Sequence, residues 1–181
     1  AVMVVDNYLR RSLARSIDRE PLVVVPNLNQ RADIWNVVSD QAIQVEIGDV
    51  ADYGFLSRVF SKFKPDSVVH YAEIPSAPFS MMDRDRAATT LHNNLTTTLN
   101  VVFALRDICP DCHLVKLGTM GEYGTPNIDI EEGYLDVEHN GRSHRFLYPK
   151  TPGSIYHLTK VQDSDLLYFA SRTWNLAVTD L

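Results

Sequence analysis

The runs SVVHY (Ser67–Tyr71) and HLVKL (His113–Leu117) enclose a long stretch without proline or glycine, Asp83–Asp107. Apolar residues recur through that stretch at helical spacing, as at Leu95 and Leu99. The pattern therefore predicts a buried strand, a long helix and a second buried strand. Because a helical crossover joins parallel strands, this unit favours a parallel sheet covered by helices.

The same alternation continues on both sides of this unit. Asn140-Gly141 lies between alternating stretches and predicts a hairpin over Tyr134–Tyr148. We therefore expect one partial Rossmann-like domain over 1–181, an α/β doubly wound parallel sheet with a hairpin insertion around 134–148. The remaining predicted elements and apolar runs are Val2–Val5, Leu22–Val25, Ile34–Val38, Ala42–Ile47, Tyr53–Phe63, Ser154–Trp174 and Leu176–Leu181.

The composition restricts the class of protein. The 181 residues are 45% hydrophobic and 22% charged, with a formal net charge of −6. These values are typical of a globular domain, and the net acidity argues against a nucleic-acid partner. No apolar run approaches the roughly 20 residues of a membrane-spanning helix. With two cysteines and no signal peptide, we expect a reducing, cytoplasmic location.

The cysteines form the pattern Cys109-Pro-Asp-Cys112-His113, which matches haem-attachment and redox motifs. A zinc site would need a second pair of Cys or His ligands at a suitable spacing, and the sequence offers none. The alternative is a turn whose cysteines pack as small hydrophobic residues. We expect this packing role and no bound metal.

Asp6 ends the first apolar run. In dinucleotide-binding folds an acid in this position binds the adenosine ribose, whereas a solvated turn is the alternative. The glycine-rich phosphate loop should lie about 20 residues before such an acid, and only five residues precede Asp6. If Asp6 is the ribose acid, the first strand and its phosphate loop lie outside this chain, and we expect the chain alone to bind a dinucleotide weakly.

A second glycine pattern, G-x-x-G-x-x-G, follows the predicted strand at Gly118, Gly121 and Gly124. A dinucleotide loop must open a helix whose N-terminus holds the pyrophosphate. The residues that follow include Pro126 and have no helical periodicity. We therefore exclude this segment as the dinucleotide loop.

Tyr156 and Lys160 are four residues apart, on one face of the second long helix. Such a pair is common on protein surfaces, but Thr119 lies just beyond a strand end and adds a hydroxyl group to the pattern. A lysine and a bound nicotinamide cation would lower the pKa of the tyrosine and make it a general base. The three residues predict oxidation of a substrate hydroxyl group.

With these residues in place, the chain resembles the extended short-chain dehydrogenase/reductases, the nucleotide-sugar epimerases and dehydratases. The resemblance extends from Val2 to Leu181. It is most specific in LGTMGEYGTPNIDIEEGY (Leu117–Tyr134), which is similar to a branch of the family that forms a sulfonated UDP-sugar. Two departures stand out: Ile74-Pro75 replaces a Gln-Arg pair of that branch, and Met120-Gly121 replaces an Asp-Glu pair of the sugar dehydratases.

The resemblance implies NAD as cofactor and assigns residues to it. Asp6 and Asn7 would hold the adenosine ribose, with Arg10 and Arg11 near the adenine end. Asp49-Val50 would contact the adenine. Asn94 would brace the central strands or contact the cofactor.

The resemblance also implies the catalytic residues. Thr119, Tyr156 and Lys160 would form the triad, in which Tyr156 and Lys160 also contact the nicotinamide ribose, and Thr119 and Tyr156 face the sugar 4-hydroxyl. Glu122 and His157 are candidates for a further acid or base near the substrate. Their alternatives are a loop carboxylate and a helix residue facing a partner.

The implied substrates are UDP-glucose and sulfite. The reaction would comprise NAD-dependent oxidation at C4, loss of water across C5–C6, sulfite addition and re-reduction. Another NAD-dependent nucleotide-sugar 4-epimerase or dehydratase is one alternative, and a non-catalytic fragment is another. The resemblance further implies a C-terminal substrate domain beyond Leu181, a homodimer built on the two long helices, and the chloroplast stroma as location in a plant or alga.

Overall fold

The computed structural model describes residues 1–131 and 133–181. Its strands are β1 (Val2–Asp6), β2 (Ile43–Ile47), β3 (Ser67–His70), β4 (His113–Lys116), β5 (Tyr134–His139), β6 (Arg142–Leu147) and β7 (Val178–Asp180). Its helices are α1 (Leu9–Arg15), α2 (Leu28–Val38), α3 (Tyr53–Phe63), α4 (Ala77–Ser80), α5 (Arg84–Ile108) and α6 (Ile155–Trp174). A single 3₁₀ turn covers Met120–Glu122.

The predicted parallel α/β architecture is confirmed. β1 pairs in parallel with β2, and β4 pairs in parallel with both β3 and β7. The five parallel strands form two groups, because no ladder joins β1 to β3 among the described residues. The described strands thus form a two-stranded and a three-stranded parallel part.

Both groups of strands pack on the same hydrophobic core. Val5 of β1 and Val68 of β3 contact one cluster of buried side chains from α3, α5, β4 and α6. Burial of this cluster holds the two groups of strands together without hydrogen bonds between them. Its most deeply buried large members are Leu56, Phe60, Val102, Leu105, Leu114 and Leu167.

The two long helices begin at side-chain caps, as their sequences favour. Asp83 accepts a hydrogen bond from the Arg86 amide at 2.8 Å, and Ser154 accepts one from the His157 amide at 3.1 Å. The first turn of α6 is fixed further because the Tyr156 amide donates to Oγ of buried Ser80 at 3.0 Å. The position of Tyr156 is therefore set by two separate contacts near the helix start.

The antiparallel hairpin β5–β6 occurs where Asn140-Gly141 predicted it. Both turn residues have positive φ, 51° and 71°, as the tight primed turns of hairpins require. By contrast, the apolar run Leu22–Val25 forms no strand, and its side chains face outward, with Leu22 fully exposed. α2 begins earlier than its apolar residues suggested, because Asn27 forms a capping box with Gln30.

The cysteines pack as expected. Cys109 and Cys112 are reduced and buried in the core, and burial raises the pKa of Cys112 to about 11. Both therefore stay as neutral thiols at physiological pH. Over residues 1–131 and 133–181, no group of three or more His, Cys, Asp or Glu side chains is arranged to hold a metal ion. No helix in the same ranges is long and apolar enough to cross a membrane.

Candidate active site

Helix α6 packs Lys160 and His157 against the segment that carries Thr119. Lys160 Nζ donates to the Leu117 carbonyl at 2.6 Å. Three residues earlier on the helix, the imidazole of His157 packs so closely on Gly121 that a side chain at that glycine would overlap the ring. These two contacts, at Leu117 and Gly121, flank Thr119, so α6 packs beside Thr119 through Lys160 and His157.

Gly118 and Gly121 pack closely against neighbouring groups, in a segment that the sequence excluded as the dinucleotide loop. The Gly118 amide donates to the Leu181 carbonyl at 2.7 Å, and a methyl group at Gly118 would lie 2.7 Å from that oxygen. Oγ1 of Thr119 caps the 3₁₀ turn by accepting from the Gly121 amide at 3.3 Å. Only this short turn follows, and no α-helix begins here to hold a pyrophosphate.

Lys160 is paired with an acid that the sequence analysis gave no role. Its Nζ lies 2.6 Å from Oε2 of Glu73, with side-chain exposures of 5% and 3%. Glu73 follows β3 by three residues, at the same end of the sheet as Thr119 after β4. That position beyond a buried strand was the available signal, since the carboxyl ends of parallel strands form the binding edge in such folds.

This pair affects how Lys160 acts on Tyr156. Burial raises the pKa of Tyr156 above its usual value, and the charges of Glu73, Glu122 and Asp163 raise it further. In the protein alone, the ammonium of Lys160 is paired with the Glu73 carboxylate and the pKa of Tyr156 is not lowered. The phenol therefore stays protonated at neutral pH.

Two further titratable groups lie beside this pair, and neither was among the predicted site residues. Asp163, one turn beyond Lys160, is fully buried, and burial together with the charge of Glu73 raises its pKa to about 8. His70 is also buried, and burial together with the charges of Lys160 and Lys116 lowers its pKa to about 3. At neutral pH both side chains are therefore uncharged.

Glu122 lies inside the protein in a network of ion pairs. Lys150 Nζ is 2.7 Å from Oε2, Lys116 Nζ is 3.4 Å from Oε1, and Ser164 donates to Oε2 at 3.1 Å. Burial acts to raise the pKa of this carboxyl, but the two lysines outweigh it and the net shift is downward. Glu122 is thus ionised at neutral pH, which fits its alternative role as a structural carboxylate better than that of a proton donor.

His157 lies within the candidate site. Its imidazole packs between Gly121 and the Tyr156 ring, with ring centroids 5.2 Å apart. A half-buried imidazole beside the proposed base is placed to contact a bound substrate. Its position therefore suits the substrate-side role that the sequence analysis considered.

The predicted nucleotide-binding residues lie at the other group of strands. Asp6 is the last residue of β1 and Asp49 lies two residues after β2, so both carboxylates lie at the same edge and are exposed. One oxygen of each caps a nearby amide, that of Tyr8 at 2.6 Å and that of Ala51 at 2.8 Å. The second oxygen of each carboxylate remains for a ligand, and neither side chain is tied to a distant element by these contacts.

Asn7, Arg10 and Arg11 are the neighbouring residues that the resemblance assigns to the cofactor. Asn7 caps the Leu9 amide at 2.9 Å. Arg10 is exposed. Arg11 donates to the Val25 carbonyl at 3.2 Å.

Val50 belongs to the hydrophobic core. Its side chain is 7% exposed, and its carbonyl accepts from Nδ2 of Asn100 at 2.8 Å. A contact with adenine from this position would therefore come from the main chain.

Asn94 is fully buried and holds three elements together. Its Oδ1 accepts from the Ile74 amide at 2.8 Å and from Asn93 Nδ2 at 3.0 Å. Its Nδ2 donates to the Ile74 carbonyl at 3.4 Å and to Thr159 Oγ1 at 3.0 Å. These four bonds use both donors and both acceptor positions of the amide. The contacts fit the bracing role and leave no polar group for a cofactor.

Comparison with known proteins agrees with this geometry. The chloroplastic UDP-sulfoquinovose synthase of Spinacia oleracea is 46% identical over 180 residues, which cover 99% of this chain and 37% of that protein. The UDP-sulfoquinovose synthase of Sulfolobus acidocaldarius is 37% identical over 181 residues, covering 99% of this chain and 46% of that protein. The chain thus spans less than half the length of these two relatives.

The fold is also that of solved structures. The UDP-glucose 4-epimerase from Brucella ovis in complex with NAD superposes with a TM-score of 0.66 at 17% identity, covering 99% of this chain and 51% of that one. At that identity the likeness shows the fold alone. Residues 7–178 match the NAD dependent epimerase/dehydratase family. Because this match covers most of the sequence, the chain belongs to the NAD dependent epimerase/dehydratase family.

Proposed function

We propose that the intact protein is a UDP-sulfoquinovose synthase, which converts UDP-glucose and sulfite to UDP-sulfoquinovose and water. In the proposed reaction, oxidation at C4 acidifies the C5 proton, water leaves across C5–C6, sulfite adds at C6, and C4 is reduced again. The observation that carries the proposal is that Lys160 contacts the Leu117 carbonyl, two residues before Thr119, with Tyr156 one turn earlier on the same helix. The identity to the spinach and Sulfolobus synthases supports the choice of sugar and of sulfite.

The residues present fit NAD, the cofactor of the family. Asp6 and Asp49 present exposed carboxylates at one strand edge, where a ribose and an adenine could be bound. Tyr156 and Lys160 lie at the end of β4, where they would hold the nicotinamide ribose. Bound NAD⁺ would accept the hydride from C4 and return it in the last step.

The side chains have distinct tasks in this proposal. Tyr156 takes the proton of the sugar 4-hydroxyl and later gives it back. Thr119 orients that hydroxyl, since its own hydroxyl group still has a proton to donate while Oγ1 caps Gly121. Lys160 donates to the Leu117 carbonyl and keeps the phenol and the ribose in fixed relative positions. His157 contacts the substrate side of Tyr156.

Sulfite dependence tests the proposal. The intact protein, supplied with UDP-glucose and NAD, should form a C6-sulfonated UDP-sugar only when sulfite is added, with no net NADH. Mass spectrometry of the products distinguishes the outcomes, and Tyr156→Phe serves as the inactive control. A 4-epimer or a 6-deoxy-4-keto sugar, formed equally with and without sulfite, would overturn the proposal in favour of an epimerase or a dehydratase.

We propose in addition that the protein is a homodimer that pairs through α5 and α6. Leu99 and Phe169 are exposed on these helices, at 43% and 51%, and apolar side chains of this kind suit a helix-packing interface. Sedimentation of the intact protein should give the mass of two chains. We propose a cytoplasmic location, or the chloroplast stroma if the source is a plant or alga, since the spinach relative is chloroplastic.

A further inference from the structure

A buried ion pair closes the loop that carries Thr119. Lys116 ends β4 and Glu122 ends the 3₁₀ turn, so these two residues bound a short loop with Thr119 at its centre. Lys116 Nζ lies 3.4 Å from Oε1 of Glu122, and the two side chains are 0% and 5% exposed. By contrast, Thr119 is half-buried and Met120 is exposed. The ends of the loop are therefore fixed inside the protein, while its centre reaches the surface.

We propose that Lys116 and Glu122 are positioning residues whose ion pair holds the Thr119 hydroxyl group in place for the sugar 4-hydroxyl. This role rests on the proposed function, in which Thr119 orients that hydroxyl. Neither Lys116 nor Glu122 contacts the substrate in this proposal, and both act through Thr119.

The main chain couples the Glu122 end of the loop to Thr119. The Glu122 amide donates to the Thr119 carbonyl at 3.1 Å, and the Gly121 amide donates to Thr119 Oγ1 at 3.3 Å. Both acceptors belong to Thr119, and one of them is the hydroxyl oxygen itself. A shift of Glu122 away from Lys116 would therefore move the turn and change the orientation of the Thr119 side chain.

The same lysine holds the helix that carries Tyr156. Lys116 Nζ donates to the Lys160 carbonyl at 3.2 Å and to Oγ of Ser164 at 3.1 Å, both on α6. Lys160 lies one turn after Tyr156 on this helix. One buried ammonium group is thus bonded both to the loop of Thr119 and to the helix of Tyr156. Its contacts therefore fix the loop relative to the helix, and with it the spacing of the two hydroxyl groups assigned to the substrate.

Two carboxylates share Lys116, and only one of them belongs to the loop. Oδ1 of Asp180 lies 3.2 Å from Lys116 Nζ, but Asp180 is on β7 and its side chain is 33% exposed. Glu122 is also paired with Lys150 at 2.7 Å, so two ammonium groups match two carboxylates. Removing one partner of a buried ion pair disturbs it strongly. Glu122 and Asp180 therefore offer matched substitutions, one inside the loop and one outside it.

The test compares these two carboxylates in the intact protein. Glu122→Gln removes the charge that closes the loop, and Asp180→Asn is the control that removes a charge from the same lysine. Each change is made in the native protein and in a Thr119→Ala background. The kcat for UDP-glucose counts every UDP-sugar product, because a synthase, an epimerase and a dehydratase all oxidise C4. Hydrogen exchange of the Gly121 amide measures how often the loop opens, without any reaction.

We expect Glu122→Gln to speed exchange at Gly121 and to lower kcat by about tenfold, since a misplacement of about 1 Å can cost about a hundredfold. In the Thr119→Ala background the same change should lower kcat by less than about twofold, because the group that it positions is already absent. Asp180→Asn should leave both kcat and exchange close to native.

A loss of kcat from Glu122→Gln that is equal with and without Thr119 would overturn the proposal, since a general loss of stability acts in both backgrounds. Native kcat or native exchange at Gly121 in Glu122→Gln would contradict it as well, as would an equal loss in Asp180→Asn. If Glu122→Gln does not fold, Glu122→Asp replaces it, because its carboxylate ends one methylene group short of Lys116. The proposed function fails separately: products formed equally without sulfite would exclude a synthase and leave this comparison intact.

Discussion

The two groups of strands differ in how far their ion pairs are exposed to solvent. In the reaction half (β3, β4, β7 and α6), the ion pair Lys160–Glu73 joins separate elements and is almost fully buried. In the nucleotide half (β1, β2, α3 and the loops between them), the ion pair Lys62–Glu46 is 70% and 35% exposed. Buried charges are part of the fold because an unpaired one is costly, whereas exposed charges contribute little to stability and are available to a ligand.

The largest expected effect is on turnover in the reaction half. Tyr156→Phe in the intact protein removes the hydroxyl group that exchanges the proton and should lower turnover by about 10² to 10⁴. Because the ring remains, the free energy of unfolding should be close to native. Steady-state kinetics with UDP-glucose and sulfite measure turnover, and thermal denaturation measures stability. Near-native turnover with normal substrate binding would show that Tyr156 is not the base.

Lys116→Met should have the largest effect on stability. Lys116 is fully buried, and its loss leaves Glu122 without one of its two lysines and Asp180 without its partner. Breaking a buried pair from one side costs about 3–5 kcal/mol. The matched variant in the nucleotide half, Lys62→Met, removes only an exposed pair and should cost about 1 kcal/mol or less. Denaturant unfolding measures the free energy of unfolding of both variants. If both lost the same amount, the buried ion pairs would contribute no more to stability than the exposed one.

Asp163→Asn should change how stability depends on pH. In the unfolded chain the Asp163 carboxyl ionises at its ordinary pKa of 3.8, but the folded protein keeps the proton up to about pH 8. The folded state thus binds more protons between these values, so stability falls as pH rises and levels off above pH 8. His70 acts in the opposite direction, but only below its ordinary pKa of 6.5.

The window from pH 6.5 to pH 8 therefore isolates Asp163 from His70. Over that window the native protein should lose about 2 kcal/mol relative to Asp163→Asn, since one proton per pH unit is worth about 1.4 kcal/mol. Denaturant unfolding at several pH values measures the difference. Parallel stability curves for the two proteins would show that Asp163 is already ionised at pH 6.5.

The smallest expected change in stability is in the nucleotide half. Asp6→Asn retains an oxygen that can cap the Tyr8 amide, so the free energy of unfolding should change by about 0.5 kcal/mol or less. The loss of charge should weaken NAD binding to the intact protein by about tenfold, because the carboxylate would accept from the ribose hydroxyls. Calorimetric titration measures the affinity. Unchanged affinity would remove Asp6 from the cofactor site.

The sequence predicted most elements of this fold because their signals are local. Tyr53–Phe63 has apolar residues at helical spacing and a cap at Asp52, and its helix has the predicted bounds. Asn140-Gly141 similarly determined its hairpin. The apolar run Leu22–Val25 stays exposed, because an apolar run is buried only if another element covers it.

The candidate site could be predicted only in part, for a related reason. Tyr156 and Lys160 follow from a spacing within one helix. The pairing of Lys160 with Glu73 joins two elements far apart in the sequence, so no local pattern contains it. The spacing of Tyr156 and Lys160 within the helix suggests a lowered pKa for Tyr156, whereas its pKa is raised in the folded protein. The pKa of a buried group depends on every charge around it.

The close packing of Gly121 against His157 has an evolutionary consequence. A side chain at position 121 and an imidazole at position 157 would occupy the same space, so each residue limits what the other can become. A glutamate at position 121, as in the Asp-Glu pair of the sugar dehydratases, would require the His157 ring to rotate away or to be replaced by a smaller side chain. The two positions are therefore expected to co-vary among relatives.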